Sequence, residues 1–544
     1  MKTLQTTTRH AAASHEAAGS HAASPRAARG LLTAMLLTAA LAACSGKPDA
    51  GDASETADAT GKSNTWLIVN ARVIDGSGTP EQKVSVRIVG DRIDAVGDLQ
   101  PAAGETVVDA GGKVLAPGFI DTHSHHDRGL DRQRDAVTVT SQGITTLVLG
   151  QDGGSSYPLA DYFTGLEKTP VAVNIASYTG HNSIRDGVMG KDFKHVATAE
   201  QVEAMRVKLE ADMAAGSLGL STGLEYDPGI YSANEEVVTL AREAAKHGGR
   251  YISHMRSEDR YLWKALDELI DIGRQTGMPV QVSHMKLAMT DWWGQADRFI
   301  ATMDAARAEG IQVSGDVYPY PYWQSTLGVL FPERDFGNRK SVEFVLKSLA
   351  PADGLWISGY DPDPSLVGKT VGQIAKEQKR DPVDVVLQLL SVEEEIPRVI
   401  GTSMDQGDID KLILWQQANI CSDGGIDDLH PRGAGAFPRI LREYVRERGL
   451  LTLEQAVHKM SGAAADHMGF VDRGHIRPGQ YADLVLFDPA TIQDHATIEN
   501  PGALATGVDR VWVAGTAVFA DGKPTGNFPG KVVRRTADSQ AGAP

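Results

Sequence analysis

The chain has 544 residues, 42% of them hydrophobic and 6% aromatic, with 53 Lys+Arg against 70 Asp+Glu and a formal net charge of −17. That length calls for a large barrel with additions or for several domains, and the composition is that of a globular protein with a sizeable core. The negative balance excludes binding of nucleic acid or an anionic membrane through general electrostatics, though it says nothing about the charge inside a pocket.

The two cysteines are Cys44 and Cys421. Arg26 and Arg29 precede an apolar run over 31–43 that closes on Leu41-Ala42-Ala43-Cys44. Basic, apolar and small residues in that order make a secretory signal over 1–44, and the run is too short to span a bilayer. A small-residue tripeptide ending in cysteine resembles a bacterial lipoprotein signal. That resemblance implies a lipidated Cys44 and leaves Cys421 without a disulfide partner. With Ser45 next in the chain, it further implies a periplasmic protein anchored to the outer membrane. A plain signal peptide or an apolar N-terminal helix is the alternative. Residues 45–63 are small, polar and acidic without periodicity, which predicts a flexible tether.

From residue 64 to 116 short strands are expected at 66–69, 84–89, 93–96 and 107–109, separated by glycine-rich turns, as in a small β-sheet unit. A second rhythm then takes over. Strands are predicted at 114–121, 144–150, 171–177, 217–222, 250–254, 279–284, 311–317 and 418–423, with helical stretches between several of them. The capping box Thr198-Ala199-Glu200-Gln201 opens a helix through residue 215. Another begins at Asn234 and stops near His247-Gly248-Gly249. Eight strand–helix alternations predict an α/β fold, a TIM-type (β/α)8 barrel over 117–475. Residues 332–399 exceed one strand–helix step and read as an insertion, with a strand at 355–359 and helices at 371–379 and 383–390. Thr452-Leu453-Glu454-Gln455 caps a last helix to Met468. Strands at 479–487 and 508–513, within 476–536, are expected to pair with the N-terminal ones.

In a parallel barrel, functional groups gather at the C-terminal strand ends. Strand one ends in Gly118-Phe119-Ile120-Asp121-Thr122-His123-Ser124-His125-His126-Asp127. His123 and His125, two apart, leave one face of an extended chain, and His126 faces away. Strand two ends in Gly150-Gln151-Asp152-Gly153, strand five in His254, strand six in His284 and strand eight in Asp423. Each alone can be a structural strand-end residue. Together they are a donor set for metal-assisted hydrolysis, in which three protein ligands hold one ion and a second ion can share a bridging ligand. Asp423 can take a proton from water and deliver it to a leaving nitrogen.

This pattern resembles the amidohydrolase superfamily, and within it the N-acyl-D-amino-acid deacylases (D-aminoacylases). Further signatures are Gln142-Gly143-Ile144-Thr145-Thr146, Gly219-Leu220-Ser221-Thr222-Gly223-Leu224-Glu225-Tyr226, His254-Met255-Arg256-Ser257-Glu258, Val282-Ser283-His284-Met285-Lys286, Asp316-Val317-Tyr318-Pro319-Tyr320 and His430-Pro431-Arg432. The resemblance implies a barrel joined to a β-sandwich built from both chain ends, and hydrolysis of N-acyl-D-amino acids with Asp423 as general acid/base. It implies one tight zinc ion on Asp152, His254 and His284, with a weaker position or the catalytic water framed by His123, His125 and Asp423.

One departure stands out. D-aminoacylases usually carry a metal-binding cysteine where this chain has Asp152, whose oxygen is a harder donor. A plain turn residue before Gly153 is the other reading of that aspartate. The resemblance also implies that Lys286 receives the substrate carboxylate and that Tyr226, Tyr318 and Ser325 contact that carboxylate or the acyl carbonyl. Arg256 and Arg432 are placed either to help or to pair with a nearby acid such as Glu258. His181 and Arg185 read as structural, and Cys421 as a small core residue. Isoaspartyl dipeptides, cyclic amides or other N-acyl compounds are alternative substrates, although Leu220-Ser221-Thr222 lacks the strand-four lysine of several such relatives. A solute-binding lipoprotein on a degenerate barrel is the non-enzymatic alternative. The expected partner is a small N-acyl amino acid, with no nucleic acid.

Overall fold

A computed structural model describes residues 65–392, 395–426 and 428–536, all within one compact unit. The expected signal over 1–44, with Cys44, and the expected tether over 45–63 lie outside the described residues. Among the described residues no helix is long and apolar enough to cross a membrane.

The centre is a TIM-type barrel. Its strands are Phe119–Asp121, Ile144–Leu149, Asn174–Ser177 with its continuation Thr179–Gly180, Gly219–Gly223, Arg250–His254, Val280–Val282, Val313–Val317 and Ala418–Ile420. Successive strands pair in parallel. Strand eight meets strand one just past their ends, where Asp423 N–H donates to His123 O at 2.9 Å and Ser422 N–H to Asp121 Oδ1 at 2.9 Å. Those closing bonds lie beside the residues that the sequence marks as functional. Both faces of the strands are covered, so they read as near-continuous apolar runs rather than alternating ones.

Thr198 caps the helix Ala199–Ala215 in a complete capping box. Its buried Met205, Leu209 and Met213 face the barrel core.

Three expectations need correction. The predicted strand 114–121 is two strands. Val114–Pro117 pairs antiparallel with Leu484–Phe487 in the outer sheet, and only Phe119–Asp121 enters the barrel. The chain changes sheets at Gly118, where a Cβ would stand 2.2 Å from Thr145. The third strand begins at Asn174 rather than 171, because the C-terminal tail runs along its start: Gly530 N–H donates to Val171 O at 3.0 Å, and Ile175 N–H to Lys531 O at 2.9 Å. The helix after Thr452 breaks at Ser461, whose φ of −137° and ψ of −79° leave the helical region, giving Leu453–Met460 and Gly462–Met468.

A small β-sandwich is built from both chain ends. Its hydrogen bonds run from Lys523–Pro524 through Thr516–Ala520, Val508–Val513, Leu484–Phe487, Val114–Pro117, Thr65–Val73 and Gln82–Val89 to Arg92–Gly97, with Thr106–Asp109 pairing on Thr65–Val73. Its own core holds Ile68, Val86, Ile88, Leu115, Leu484 and Trp512. Trp66 meets the Trp512 ring edge-on at 6.0 Å.

Between barrel strands seven and eight the chain forms an antiparallel sheet, Tyr322–Thr326, Arg398–Thr402 and Leu355–Gly359. It carries the helices Arg339–Ser348, Val371–Gln378 and Pro382–Leu389. This insertion therefore starts earlier than residue 332, with a strand that pairs against its own end.

Candidate metal centre

The strand ends bring His123, His125, Asp152, His254, His284 and Asp423 into one place. Donor atoms of His123, His125, Asp152 and Asp423 lie within 4.8 Å of one another, and so do those of Asp152, His254 and His284. Asp152 belongs to both groups. Its Oδ1 is 3.4 Å from His123 Nε2 and 3.4 Å from His284 Nε2, and its Oδ2 is 3.3 Å from His125 Nε2. Asp423 Oδ1 stands 3.4 Å from His123 Nε2 and 3.3 Å from His125 Nε2. His254 Nδ1 lies 3.0 Å from His284 Nε2. His126 turns the other way, with Nδ1 2.6 Å from Ser124 Oγ.

Backbone strain concentrates here. Asp152, His284 and Asp423 are non-glycine residues with φ of +53°, +32° and +49°. Each such position costs on the order of 1–3 kcal/mol, and they cluster at functional sites. Their neighbours hold them in place. Asp316 on strand seven accepts His284 N–H at 2.5 Å and Gln281 Nε2–H at 2.6 Å. Gly153 has φ +75° and would drive a Cβ to within 2.4 Å of Asn182 Oδ1.

Burial disfavours the protonated form of these imidazoles, but the carboxylates outweigh it. Asp152, Asp316 and Asp423 hold His123 well above the ordinary imidazole value, and Asp152 and Asp423 push His125 up to about 9. Burial and Lys286 oppose protonation of His284, yet Glu258, Asp152 and Asp423 bring it up to about 9. The Asp152 and Asp423 carboxyls would rise on burial, but His123 and His284 hold Asp152 well below the usual carboxylate range, and Arg432 with the same histidines holds Asp423 there. A divalent cation competes with protons for such a set.

The donors fit one. His123 is 0% exposed and neither of its ring nitrogens hydrogen-bonds to any described residue; Asp152 Oδ1 is likewise buried without a partner. A buried polar atom left so costs about 1–3 kcal/mol, and ligation satisfies imidazole and carboxylate together. Nitrogen and oxygen donors without a thiolate suit zinc and comparable divalent ions. Cys421 stays out of the donor groups: its buried thiol lies 3.3 Å from Asp316 Oδ1, and burial pushes its pKa well up.

The cluster opens into a cavity of about 740 Å³, lined also by Glu225, Tyr226, Lys286 and Arg432, with Trp323, Ser325, Val329 and Leu330 from the insertion. Lys286 reaches it with its charge already balanced, Nζ lying 2.9 and 3.2 Å from the Glu258 oxygens. Arg432 is paired to Asp423 at 2.5 Å, and its guanidinium lies 4.7 Å from the Tyr318 ring centre. Tyr226 OH is 3.2 Å from His254 Nδ1. Tyr318 lies behind the cavity wall, its hydroxyl buried and without a hydrogen bond among the described residues. Arg256 is not brought to the cavity: it makes a two-pronged pair with Glu268 at 2.8 and 2.9 Å, not with Glu258. His181 and Arg185 share the buried carboxylate of Glu236, at 2.8 Å each. Asp121 and Asp316, which pin the strand ends, both fall inside the signature stretches, yet nothing in those stretches marks what their carboxylates hold.

A sequence model described as the amidohydrolase family matches residues 106–317 and 412–519. The D-aminoacylase of Alcaligenes xylosoxydans xylosoxydans is 37% identical over 496 residues, spanning 87% of this chain and 98% of that protein. The chain belongs to the amidohydrolase family, in its D-aminoacylase group. As an amidohydrolase of this group it is a hydrolase of carbon–nitrogen bonds other than peptide bonds. Two solved structures superpose closely. One is a D-aminoacylase described with a binuclear metal centre, with one-metal activation and second-metal attenuation (TM-score 0.78, 36% identity, 86% of this chain and 99% of that one). The other is the N-acyl-D-glutamate deacylase of Bordetella bronchiseptica with zinc and a phosphonate mimic of the tetrahedral intermediate (TM-score 0.79, 33% identity, 86% and 99% covered).

Proposed function

We propose that this amidohydrolase is a zinc-dependent deacylase of N-acyl-D-amino acids, releasing a carboxylate and a free D-amino acid. The observation that carries the reading is the pair of donor groups joined at Asp152, at the strand ends of a chain whose relatives are deacylases of this kind. Asp152, His254 and His284 would hold the tighter ion. His123, His125 and Asp423 would frame a second position or the attacking water. A zinc ion there supplies a Lewis acid and lowers the pKa of water.

The chain's own residues do the rest. Asp423, kept ionised beside Arg432, takes a proton from the attacking water and returns it to the nitrogen as the C–N bond breaks. The hydroxyl oxygen ends on the acyl carbon. Lys286 Nζ is engaged by both Glu258 oxygens and by His284 Nδ1 at 2.8 Å, so its ammonium would receive the substrate carboxylate by exchanging one of these contacts. Ser325 and Tyr226 reach the same space. Tyr318 and Arg432 back this corner. The order of residues 26–44 is the basis for proposing, in addition, export from the cytoplasm and a lipid anchor on Cys44.

The test is a substrate panel on purified protein: N-acetyl-D-amino acids, their L-forms, β-aspartyl dipeptides and hydantoins. Turnover of the D-forms and not of the L-forms is expected. Preference for the dipeptides or hydantoins would assign the site to another branch of the family.

A further inference from the structure

We propose that Glu225, which follows barrel strand four, is a positioning residue that orients His254 toward the metal. The inference rests on His254 being a ligand. A neutral imidazole has one N–H and one lone pair, so the partner of one nitrogen fixes the use of the other. His254 Nδ1 faces the donor cluster, 3.0 Å from His284 Nε2, and Nε2 lies 3.0 Å from Glu225 Oε2. Glu225 therefore receives the Nε2–H and leaves the Nδ1 lone pair directed inward.

Glu225 is itself held at both side chain and main chain. Its Oε1 accepts Glu258 N–H at 2.9 Å, and its main-chain oxygen accepts from Arg334 of the insertion at 2.8 Å. The neighbouring His284 differs: its Nε2 lies 3.4 Å from Asp152 Oδ1, while its Nδ1 meets the Lys286 ammonium at 2.8 Å as well as Glu258 Oε1 at 3.0 Å. Glu225, His254 and Glu258 could also be read as a third ion site, since their donor atoms lie within 4.8 Å of one another. That use needs the Nε2 lone pair and is incompatible with ligation through Nδ1. Glu258 is moreover already engaged by Lys286.

The experiment compares zinc affinity, by chelator competition, and the visible spectrum of the cobalt-substituted protein across wild type, Glu225→Gln and Glu225→Leu. Outer-shell partners of metal-bound histidines are worth about 10–100-fold in affinity. Glu225→Leu should lose that much and alter the cobalt spectrum. Glu225→Gln keeps an acceptor oxygen and should fall between it and wild type. Wild-type affinity in Glu225→Leu, or a change confined to KM, overturns the proposal. So does a Glu225→Gln variant as weak as Glu225→Leu, which would make Glu225 a direct ligand. A wild type that binds no zinc, or a His254→Ala variant that binds it as tightly, overturns the metal reading and this inference with it.

Discussion

Asp423→Asn is expected to lower kcat/KM for an N-acetyl-D-amino acid by about 10²- to 10⁴-fold, the range typical of a lost general acid/base. Asparagine keeps the shape and an oxygen for Arg432 but cannot take a proton. The loss should appear in kcat, with KM little changed, because Asp423 acts on the reacting water and nitrogen and not on the substrate carboxylate. Asp423 also neutralises Arg432, which is 4% exposed, and breaking a buried pair costs about 3–5 kcal/mol when one charge is left alone. The variant should therefore fold at 25 °C and melt at a lower temperature. Circular dichroism melts beside steady-state kinetics separate the two effects. Unchanged turnover would remove Asp423 from the chemistry.

Asp152→Ala should have the larger effect on the metal. Asp152 is the one residue common to both donor groups, so its removal weakens both positions at once. The loss of zinc affinity should exceed the about 10–100-fold expected for an outer-shell residue, and activity at fixed zinc should fall with it. Asp152→Cys should keep a bound ion while shifting preference toward softer metals, since thiolate replaces carboxylate. Zinc content after dialysis, followed by titration with zinc and manganese, checks both variants. Full zinc retention in Asp152→Ala would make Asp152 the turn residue before Gly153 and nothing more.

Much of the site was legible because a parallel barrel sends every strand's C-terminal end to one mouth. A histidine or aspartate after an apolar run can then be placed without knowing any distance. His123, His254, His284 and Asp423 are such residues. Other features depend on geometry that periodicity does not carry. Both halves of the run 114–121 are buried, so hydrophobicity alone hides the change of sheet at Gly118; the signal that could have found it is the Pro117-Gly118 dipeptide, which interrupts a strand. Arg256 finds Glu268, twelve residues on, and not Glu258, because the helix Leu262–Thr276 turns that acid toward it. Glu225 lies in a signature run, yet only the approach of His254 from the next strand shows what its carboxylate touches. The positive φ values at Asp152, His284 and Asp423 are likewise set by tertiary bonds such as His284 N–H to Asp316.

The most direct test strips the protein with a chelator and titrates zinc back, with hydrolysis of an N-acetyl-D-amino acid and its L-enantiomer followed at each step. The proposed function predicts negligible activity in the stripped protein and recovery on the D-form as the site of Asp152, His254 and His284 fills, with the L-form left intact. Activity that survives chelation, or equal turnover of both enantiomers, would contradict it.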